Sequence, residues 1–231
     1  MSAFFVAENK GMRMTLKAVL FDMDGTLVDS ESVHFNCWND VLAPFGVRYE
    51  EDDFCQRFSG QPTLDAAIEV VEQYNLSVSP QWLAQAKYDA FEQFVTTNLP
   101  PLMPFAEEVL EAVKQSDLKM ALVTGSSRHE ALPILKGYGF YEWFDCVVTK
   151  DDVQNPKPAG DPYLLALTTL GISAEQAIAV EDTHTGVTAA TNANVPVVAI
   201  PNKHTLGHDL SLAVSRMDNL QQLWQWVQTK L

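Results

Sequence analysis

The sequence predicts an α/β protein: a Rossmann-like parallel sheet with an all-helical segment inserted after its first strand. Three observations predict this fold. Five short apolar runs alternate with segments of helical periodicity, the pattern of parallel strands covered by helices on both faces. One long segment, 31–100, has helical spacing and contains no strand-like run. The length of 231 residues suits a large core that carries a smaller insert.

Each predicted strand is a short apolar run. The first, KAVLFD, is followed by Gly25, as expected of a buried strand that leads into a tight turn. The five predicted strands span residues 17–22, 119–124, 145–149, 177–182 and 195–200. Ligands of open parallel sheets bind beyond the carboxyl ends of the strands, so polar residues at those ends are candidates for one shared site.

The helical insert, residues 31–100, shows three apolar stripes at helical spacing. The stripes comprise Val33, Trp38, Val41 and Leu42; Leu64, Ala67, Ile68 and Val71; and Trp82, Leu83, Ala86 and Phe91. Pro100, Pro101 and Pro104 then end the helical run. We therefore expect a core domain of residues 1–30 and 101–231 and a helical domain of residues 31–100.

The charge balance narrows the classes of partner. Fifteen Lys and Arg against 30 Asp and Glu give a net charge of −15, which repels nucleic-acid backbones and anionic membranes. No run approaches the roughly 18 apolar residues of a membrane helix, and residues 1–13 lack the basic start of a signal peptide. Three unpaired cysteines favour a reducing compartment. We expect a cytoplasmic protein with no nucleic-acid or membrane partner.

Two aspartates at the end of the first strand are the most specific feature. Asp22 and Asp24 stand two residues apart, so both can face the crevice beyond the strand. Acidic residues are also common at solvated strand ends, so this pair alone does not identify a site. Polar residues at the ends of the other strands distinguish a functional site from ordinary solvated acidic residues.

Complementary groups follow the other strands. Thr124, Gly125 and Ser126 precede a helix, where hydroxyls and backbone N–H groups suit phosphoryl oxygens. Lys157 stands between two prolines, which restrict its backbone and direct one cation. The fourth strand ends in two carboxylates, hard oxygen ligands suited to Mg²⁺. These last two residues are Glu181 and Asp182.

Together, and in this order, these motifs resemble the haloacid dehalogenase-like superfamily, and within it the phosphatases and β-phosphoglucomutases with a helical cap. The resemblance covers residues 17 to about 201. It implies that Asp22 is a nucleophile that forms an aspartyl-phosphate, and that Asp24 is a general acid and then a base. It also implies that Thr124 and Lys157 are catalytic and that Mg²⁺ is the cofactor. The implied metal ligands are Asp22, the Asp24 carbonyl and Asp182, with Glu181 supporting or ligating, and Gly125 and Ser126 would bind substrate.

The resemblance also limits the reaction. Dehalogenases of the superfamily lack the second aspartate and need no Mg²⁺, so Asp24, Glu181 and Asp182 argue against carbon–halogen cleavage. A catalytically silent sugar-phosphate binder is a further alternative, although such proteins are expected to lose the nucleophile or a metal ligand. We predict a phosphatase that acts on a small phosphate ester, in particular a sugar phosphate.

Insert residues bear on the choice between a phosphatase and a mutase. His34, Trp38 and Lys87 fall near substrate-binding positions of the similar β-phosphoglucomutases, whereas Thr63 stands where those mutases carry an arginine. Three of these residues also have a structural explanation. The rings of His34 and Trp38 can pack within the insert, and Lys87 can be a solvated helix cation. A phosphatase is favoured, with a β-phosphoglucomutase-type enzyme as the alternative.

Overall fold

A parallel sheet of six strands forms the centre of the computed structural model, which describes residues 15–231. The prediction about a signal peptide concerns residues outside this range. The strands are β1 (Ala18–Phe21), β2 (Lys119–Val123), β3 (Cys146–Val148), β4 (Ala177–Glu181), β5 (Val197–Ala199) and β6 (Ser215–Arg216). Their order is β3-β2-β1-β4-β5-β6, and all neighbours are parallel. The five predicted strands are confirmed. β6 has only two residues and no apolar run that could predict it.

Helices cover both faces of this sheet. Helices α5 (Ala106–Lys114), α6 (Arg128–Gly137) and α9 (Leu220–Gln228) pack on the face that carries Val19 and Phe21 of β1. Helices α7 (Asp161–Leu170) and α8 (His184–Asn192) pack on the face that carries Ala18 and Leu20. Alternate residues of β1 thus lie on opposite faces of the sheet. The predicted Rossmann-like core is confirmed.

The helical insert contains four helices in the described chain rather than the three that the apolar stripes predict. They are α1 (Glu31–Leu42), α2 (Glu51–Phe58), α3 (Thr63–Tyr74) and α4 (Pro80–Thr97). Helix α2 is short and rich in charged residues, which hides its apolar face in the sequence. Its Phe54 and Phe58 join a separate apolar core inside the insert. No helix within residues 15–231 is long and apolar enough to cross a membrane.

Two of the predicted apolar stripes are partly wrong. In α3 the buried residues are Ala66, Ala67 and Val70, whereas Leu64 and Ile68 are more than one-third exposed. Small side chains face the neighbouring helix here, and the larger ones lie at the edges of the contact. On α4, Trp82 is half exposed and packs edge-on against the ring of Phe45 at the rim of the insert.

The chain leaves the core and returns to it at adjacent points. The Asp29 N–H donates to the Pro101 carbonyl (2.7 Å), and the Met103 N–H donates to the Leu27 carbonyl (2.9 Å). Val28 and Leu102 form a bridge between the same two segments. The insert is therefore joined to the core by two antiparallel segments that are hydrogen-bonded to each other, beside the carboxyl end of β1.

Candidate active site

The polar residues predicted from the strand ends meet at the carboxyl edge of the sheet. Asp22 follows β1, Thr124 follows β2, Lys157 comes from the loop after β3, and Glu181 and Asp182 end β4. A cavity of about 190 Å³ lies between this edge and the helical insert, and both contribute to its walls. The fold thus brings chemically different groups from four strand ends to one enclosed space.

Lys157 is the centre of a buried ionic cluster. Its Nζ donates to Asp22 Oδ1 (2.7 Å), to Glu181 Oε1 (2.6 Å) and to the Val123 carbonyl (2.7 Å). Burial opposes the charge of the ammonium, but the two carboxylates outweigh burial and raise the pKa of Lys157 above its usual value. The lysine is therefore a permanent cation beside Asp22, and it occupies one of the two oxygens of that carboxylate.

The acidic cluster, Asp22, Glu181 and Asp182, offers three carboxylate oxygens within 4.8 Å of one another. Burial, together with the charge of Glu181, raises the pKa of Asp22 well above its usual range despite the nearby Lys157. Burial and repulsion from Asp22 and Glu181 do the same to the pKa of Asp182. The single positive charge of Lys157 does not compensate the three carboxylates, so a further cation would stabilise the cluster.

An orphaned oxygen in the acidic cluster supports the fit to a hard cation. Asp182 Oδ1 is buried and has no hydrogen-bond partner among residues 15–231, whereas Oδ2 accepts from Asn202 Nδ2 (2.8 Å). A buried charged oxygen without a partner is costly unless a ligand satisfies it. The donor set consists of hard oxygens, which is what Mg²⁺ prefers. The residues therefore fit Mg²⁺, the metal that the motif resemblance implies.

Asp24 is held as a carboxylate by surrounding donors. Its Oδ1 accepts from Ser30 Oγ (2.6 Å) and lies 3.7 Å from His34 Nε2. Its Oδ2 accepts from Ser126 Oγ (2.6 Å) and from Thr124 Oγ1 (3.3 Å). Burial disfavours the charge, but the imidazole and the hydroxyls outweigh burial and lower the pKa of Asp24 below its usual range. The arrangement therefore keeps Asp24 ionised in the free site.

The segment after β2 differs in detail from the expectation of free backbone donors. The Ser126 N–H is not free, because it donates to Thr124 Oγ1 (3.0 Å). Both hydroxyls in turn point to Asp24. Gly125 and Ser126 still line the cavity. The segment's first contribution in this structure is thus to hold Asp24, with its glycine backbone facing the cavity.

The predicted insert residues all reach the cavity. His34, Trp38, Thr63 and Lys87 are among its lining residues. The His34 ring stacks on Phe91 with centroids 4.2 Å apart, so it combines ring packing with its approach to Asp24. Trp38 is 3% exposed and packs within the apolar core of the insert.

Lys87 is buried rather than a solvated helix cation. It is 3% exposed, and its Nζ lies 3.5 Å from Glu130 Oε1 on α6 of the core. An exposed lysine was the simpler interpretation of its position on α4, and that interpretation is wrong. The pair joins the helical insert to the core across the cavity.

Three residues of the site have no place in the sequence motifs. Tyr163 of α7 is fully buried and its hydroxyl donates to Glu181 Oε1. Asn202 Nδ2 donates to Asp182 and to the Gly25 carbonyl (3.1 Å). Glu31, at the start of α1, is buried at the cavity and accepts from a serine of the insert. The only signal in the sequence was the position of Glu31, seven residues after Asp24.

The buried lysine among carboxylates at the carboxyl edge of a parallel sheet, under a helical insert, is the arrangement that the motif resemblance implies for a hydrolase of phosphate esters. The chain belongs to the haloacid dehalogenase-like hydrolases, whose family model matches residues 19–200. The resemblance noted from the motifs is thereby confirmed.

Two relatives of similar sequence are named as phosphatases. The fructose-1-phosphate phosphatase YqaB of Escherichia coli is 31% identical over 184 residues, which cover 79% of this chain and 95% of the relative. A phosphorylated carbohydrates phosphatase of Thermotoga maritima is 32% identical over 184 residues, 78% of this chain and 82% of the relative. With the family assignment, these similarities make the chain an enzyme of the phosphatase kind.

Solved structures confirm the fold. CbbY from Rhodobacter sphaeroides in complex with phosphate superposes with a TM-score of 0.79 at 24% identity, covering 90% of this chain and 96% of that chain. A putative β-phosphoglucomutase from Thermotoga maritima has a TM-score of 0.71 at 28% identity, covering 94% and 100%. Both phosphatase and mutase names thus occur among proteins that are similar to this chain.

Proposed function

We propose that this chain is a Mg²⁺-dependent phosphatase that hydrolyses a small phosphorylated metabolite, in particular a sugar phosphate, through a phosphorylated Asp22. The observation that carries the proposal is the buried contact between Lys157 Nζ and Asp22 Oδ1, in a cavity that also contains Asp24. The cavity thus contains a nucleophile, a fixed cation and a proton acceptor. The names of the similar phosphatases support a sugar phosphate as the substrate.

Asp22 would attack the phosphorus atom. Its carboxylate is already held in place by the hydrogen bond from Lys157 Nζ to Oδ1. Attack joins one carboxylate oxygen of Asp22 to phosphorus and breaks the bond between phosphorus and the alcohol oxygen. Lys157 stabilises the charge of the phosphoryl group as the bond changes occur, because its ammonium is already in position and excluded from water.

Asp24 would move the proton in both half-reactions. It gives a proton to the leaving alcohol, and it then takes one from the water that hydrolyses the phosphorylated Asp22. The surrounding donors, which lower the pKa of Asp24, keep it ionised, the form in which it takes the proton in the second step. Arrival of a phosphoryl dianion beside Asp24 would raise its pKa, because like charges disfavour ionisation, and so would prepare the first step.

Asp22, the Asp24 carbonyl and Asp182 would hold Mg²⁺. Glu181 is engaged by Lys157 and Tyr163, so we assign it to supporting these ligands more than to direct binding. When bound, Mg²⁺ supplies positive charge that offsets the repulsion between Asp22 and the phosphoryl group. This ion would also satisfy the orphaned oxygen of Asp182.

The helical insert would act as a cap domain, residues 31–100, over a core domain of residues 1–30 and 101–231. Its His34, Trp38 and Lys87 would contact the substrate, and its closure would exclude bulk water from the cavity. Water is the favoured acceptor of the phosphoryl group over a second sugar phosphate. The partner is a small phosphate ester and not a nucleic acid or membrane, in keeping with a net charge of −15.

A hydrolysis assay tests the proposal directly. Phosphate release from p-nitrophenyl phosphate and a panel of sugar phosphates is measured with and without Mg²⁺ for the parent, Asp22→Asn and Asp117→Asn. We expect Mg²⁺-dependent release that Asp22→Asn abolishes, because the amide cannot act as nucleophile. Asp117 is an exposed aspartate just before β2, at the opposite edge of the sheet, and its variant should retain full activity.

Two results would contradict the proposal. Turnover by Asp22→Asn within tenfold of the parent would remove Asp22 from the nucleophile role. Conversion of β-glucose 1-phosphate to glucose 6-phosphate faster than phosphate release would replace the phosphatase with a mutase.

A further inference from the structure

The loop after β5 reaches the acidic cluster through the side chain of Asn202. Its Nδ2 donates to Asp182 Oδ2 (2.8 Å) and to the Gly25 carbonyl (3.1 Å). Its Oδ1 accepts from the backbone N–H of His204 (2.8 Å), and its backbone N–H donates to Thr205 Oγ1 (3.0 Å). Both polar atoms of the amide therefore have partners, and this pattern determines that the amide nitrogen faces Asp182.

Gly25 allows the three segments to approach one another closely at this point. Its φ of +77° lies in the left-handed region, and an added Cβ would overlap both Asp182 Oδ2 and Asn202 Nδ2. The turn after β1, the end of β4 and the loop after β5 thus meet in one small hydrogen-bonded contact. Asp182 is fully buried within it, so its carboxylate has little freedom to rotate.

The two oxygens of the Asp182 carboxylate are consequently unequal. Oδ2 accepts from Asn202, whereas Oδ1 has no hydrogen-bond partner within residues 15–231. An N–H group carries partial positive charge, so its presence at Oδ2 disfavours a cation at the same oxygen. Asp182 therefore offers a metal one oxygen, Oδ1, rather than two.

The number of oxygens that a carboxylate offers distinguishes two common divalent cations. Ca²⁺ takes about 6–8 oxygen ligands in a flexible arrangement and accepts both oxygens of one carboxylate, whereas Mg²⁺ is smaller and demands a near-ideal octahedron. A carboxylate that is held in place and offers a single oxygen therefore suits Mg²⁺ better than Ca²⁺.

We infer that Asn202 is a positioning residue that selects Mg²⁺ over Ca²⁺, because its hydrogen bond to Oδ2 limits Asp182 to one ligand oxygen. This inference rests on the metal site of the proposed function. In this role Asn202 acts through Asp182. It stands in a loop, outside the sequence motifs that predicted the rest of the site.

Isothermal titration calorimetry without substrate tests the role of Asn202. The dissociation constants of Mg²⁺ and Ca²⁺ are measured for the parent, which should bind Mg²⁺ more tightly, and for Asn202→Leu. The variant keeps much of the side-chain volume but removes the donors. It should weaken Mg²⁺ binding about 10- to 100-fold, the usual effect of removing a hydrogen-bond partner of a metal ligand. Ca²⁺ binding should weaken by about threefold or less, because the released Oδ2 can join its larger set of ligands.

Two further variants control for the structural effect of the substitution. Asn155 Nδ2 also donates to an aspartate, Asp161 Oδ2 (2.9 Å), but Asn155 is exposed and Asp161 is not part of the acidic cluster. Asn155→Leu should therefore leave both dissociation constants unchanged. Asn202→Asp retains the shape of the side chain and an acceptor for the His204 N–H while it removes the donors. It should also shift the ratio of the two dissociation constants toward Ca²⁺, and it serves as the test if Asn202→Leu does not fold.

The possible results separate the inference from the proposed function. Ca²⁺ binding by the parent that is as tight as Mg²⁺ binding overturns the inference, and that measurement needs no variant. An unchanged ratio of the two dissociation constants in the Asn202 variants also overturns it, because a merely structural role would weaken both cations alike. If the parent binds no Mg²⁺ at all, the metal site of the proposed function is wrong, and the inference is wrong with it.

Discussion

Replacing Gly186 with alanine tests how tightly the ionic cluster is packed. Gly186 lies in the first turn of α8, directly against the Glu181 carboxylate. A Cβ added at this glycine would overlap the carboxylate group itself. Glu181 cannot rotate away freely, because Lys157 and Tyr163 both donate to its Oε1. The substitution therefore pushes on the group that holds Lys157 in place.

The magnitude follows from two opposing effects. Glycine to alanine inside a helix ordinarily stabilises by about 1 kcal/mol. Displacing one partner of a buried ion pair costs about 3–5 kcal/mol. The net expectation for Gly186→Ala is a loss of about 2–4 kcal/mol in the free energy of unfolding. Because Lys157 also contacts Asp22, we expect kcat/KM to fall about 10- to 100-fold, the range for a misplacement of about 1 Å.

Urea unfolding and phosphate release measure the two effects on the same preparation. The midpoint should fall while the slope of the transition is unchanged. Gly137→Ala is the matched control, because the three atoms nearest to its added Cβ all belong to the partly exposed Leu99 side chain, which can rotate. That variant should stay within about 1 kcal/mol of the parent. If Gly186→Ala unfolds at the parent's urea concentration and retains its kcat/KM, the tight packing of Glu181 is refuted.

Three further substitutions test other parts of the site. Asp182→Ala should raise the Mg²⁺ concentration for half-maximal activity about 10- to 100-fold, and an unchanged metal titration would place the metal elsewhere. Asp24→Asn should lower kcat about 10²- to 10⁴-fold, with a larger loss for an alkyl phosphate than for p-nitrophenyl phosphate, whose leaving group needs no proton. Equal losses on the two esters would argue against proton transfer by Asp24. Lys87→Ala should raise KM for a sugar phosphate more than it lowers kcat, and steady-state kinetics with the reverse result would remove Lys87 from substrate binding.

The core of the site could be predicted because its residues stand at the ends of apolar runs. Asp22 and Asp182 needed only the rule that parallel strands share an edge, and the structure brings them together. The partners that saturate them come from elements with no such pattern. Tyr163 resembles one more apolar residue of a helix, and Asn202 lies in a loop, so both contacts depend on how the elements pack.

The insert was harder to predict for a related physical reason. Hydrophobicity alone assigned Trp82 to its core and left Lys87 in solvent, whereas the structure exposes the first and buries the second. Lys87 is buried because Glu130 and the Phe91 ring compensate its charge, and Glu130 belongs to a helix of the core. Pairings between distant segments have no local periodicity, so a periodic pattern cannot reveal them.

The hydrogen-bonded junction between Leu27–Asp29 and Pro101–Met103 has a consequence for folding. β1 pairs with β2 across the whole length of the insert, a separation that would ordinarily slow formation of the sheet. Once the junction forms, the entropy of closing that loop has been lost in a single step, and the sheet can assemble as though the chain were continuous. Loop-closure entropy grows slowly with length, so segments of quite different size could be carried between the same two points. Insertions and deletions in the helical insert should therefore leave the register of the sheet unchanged.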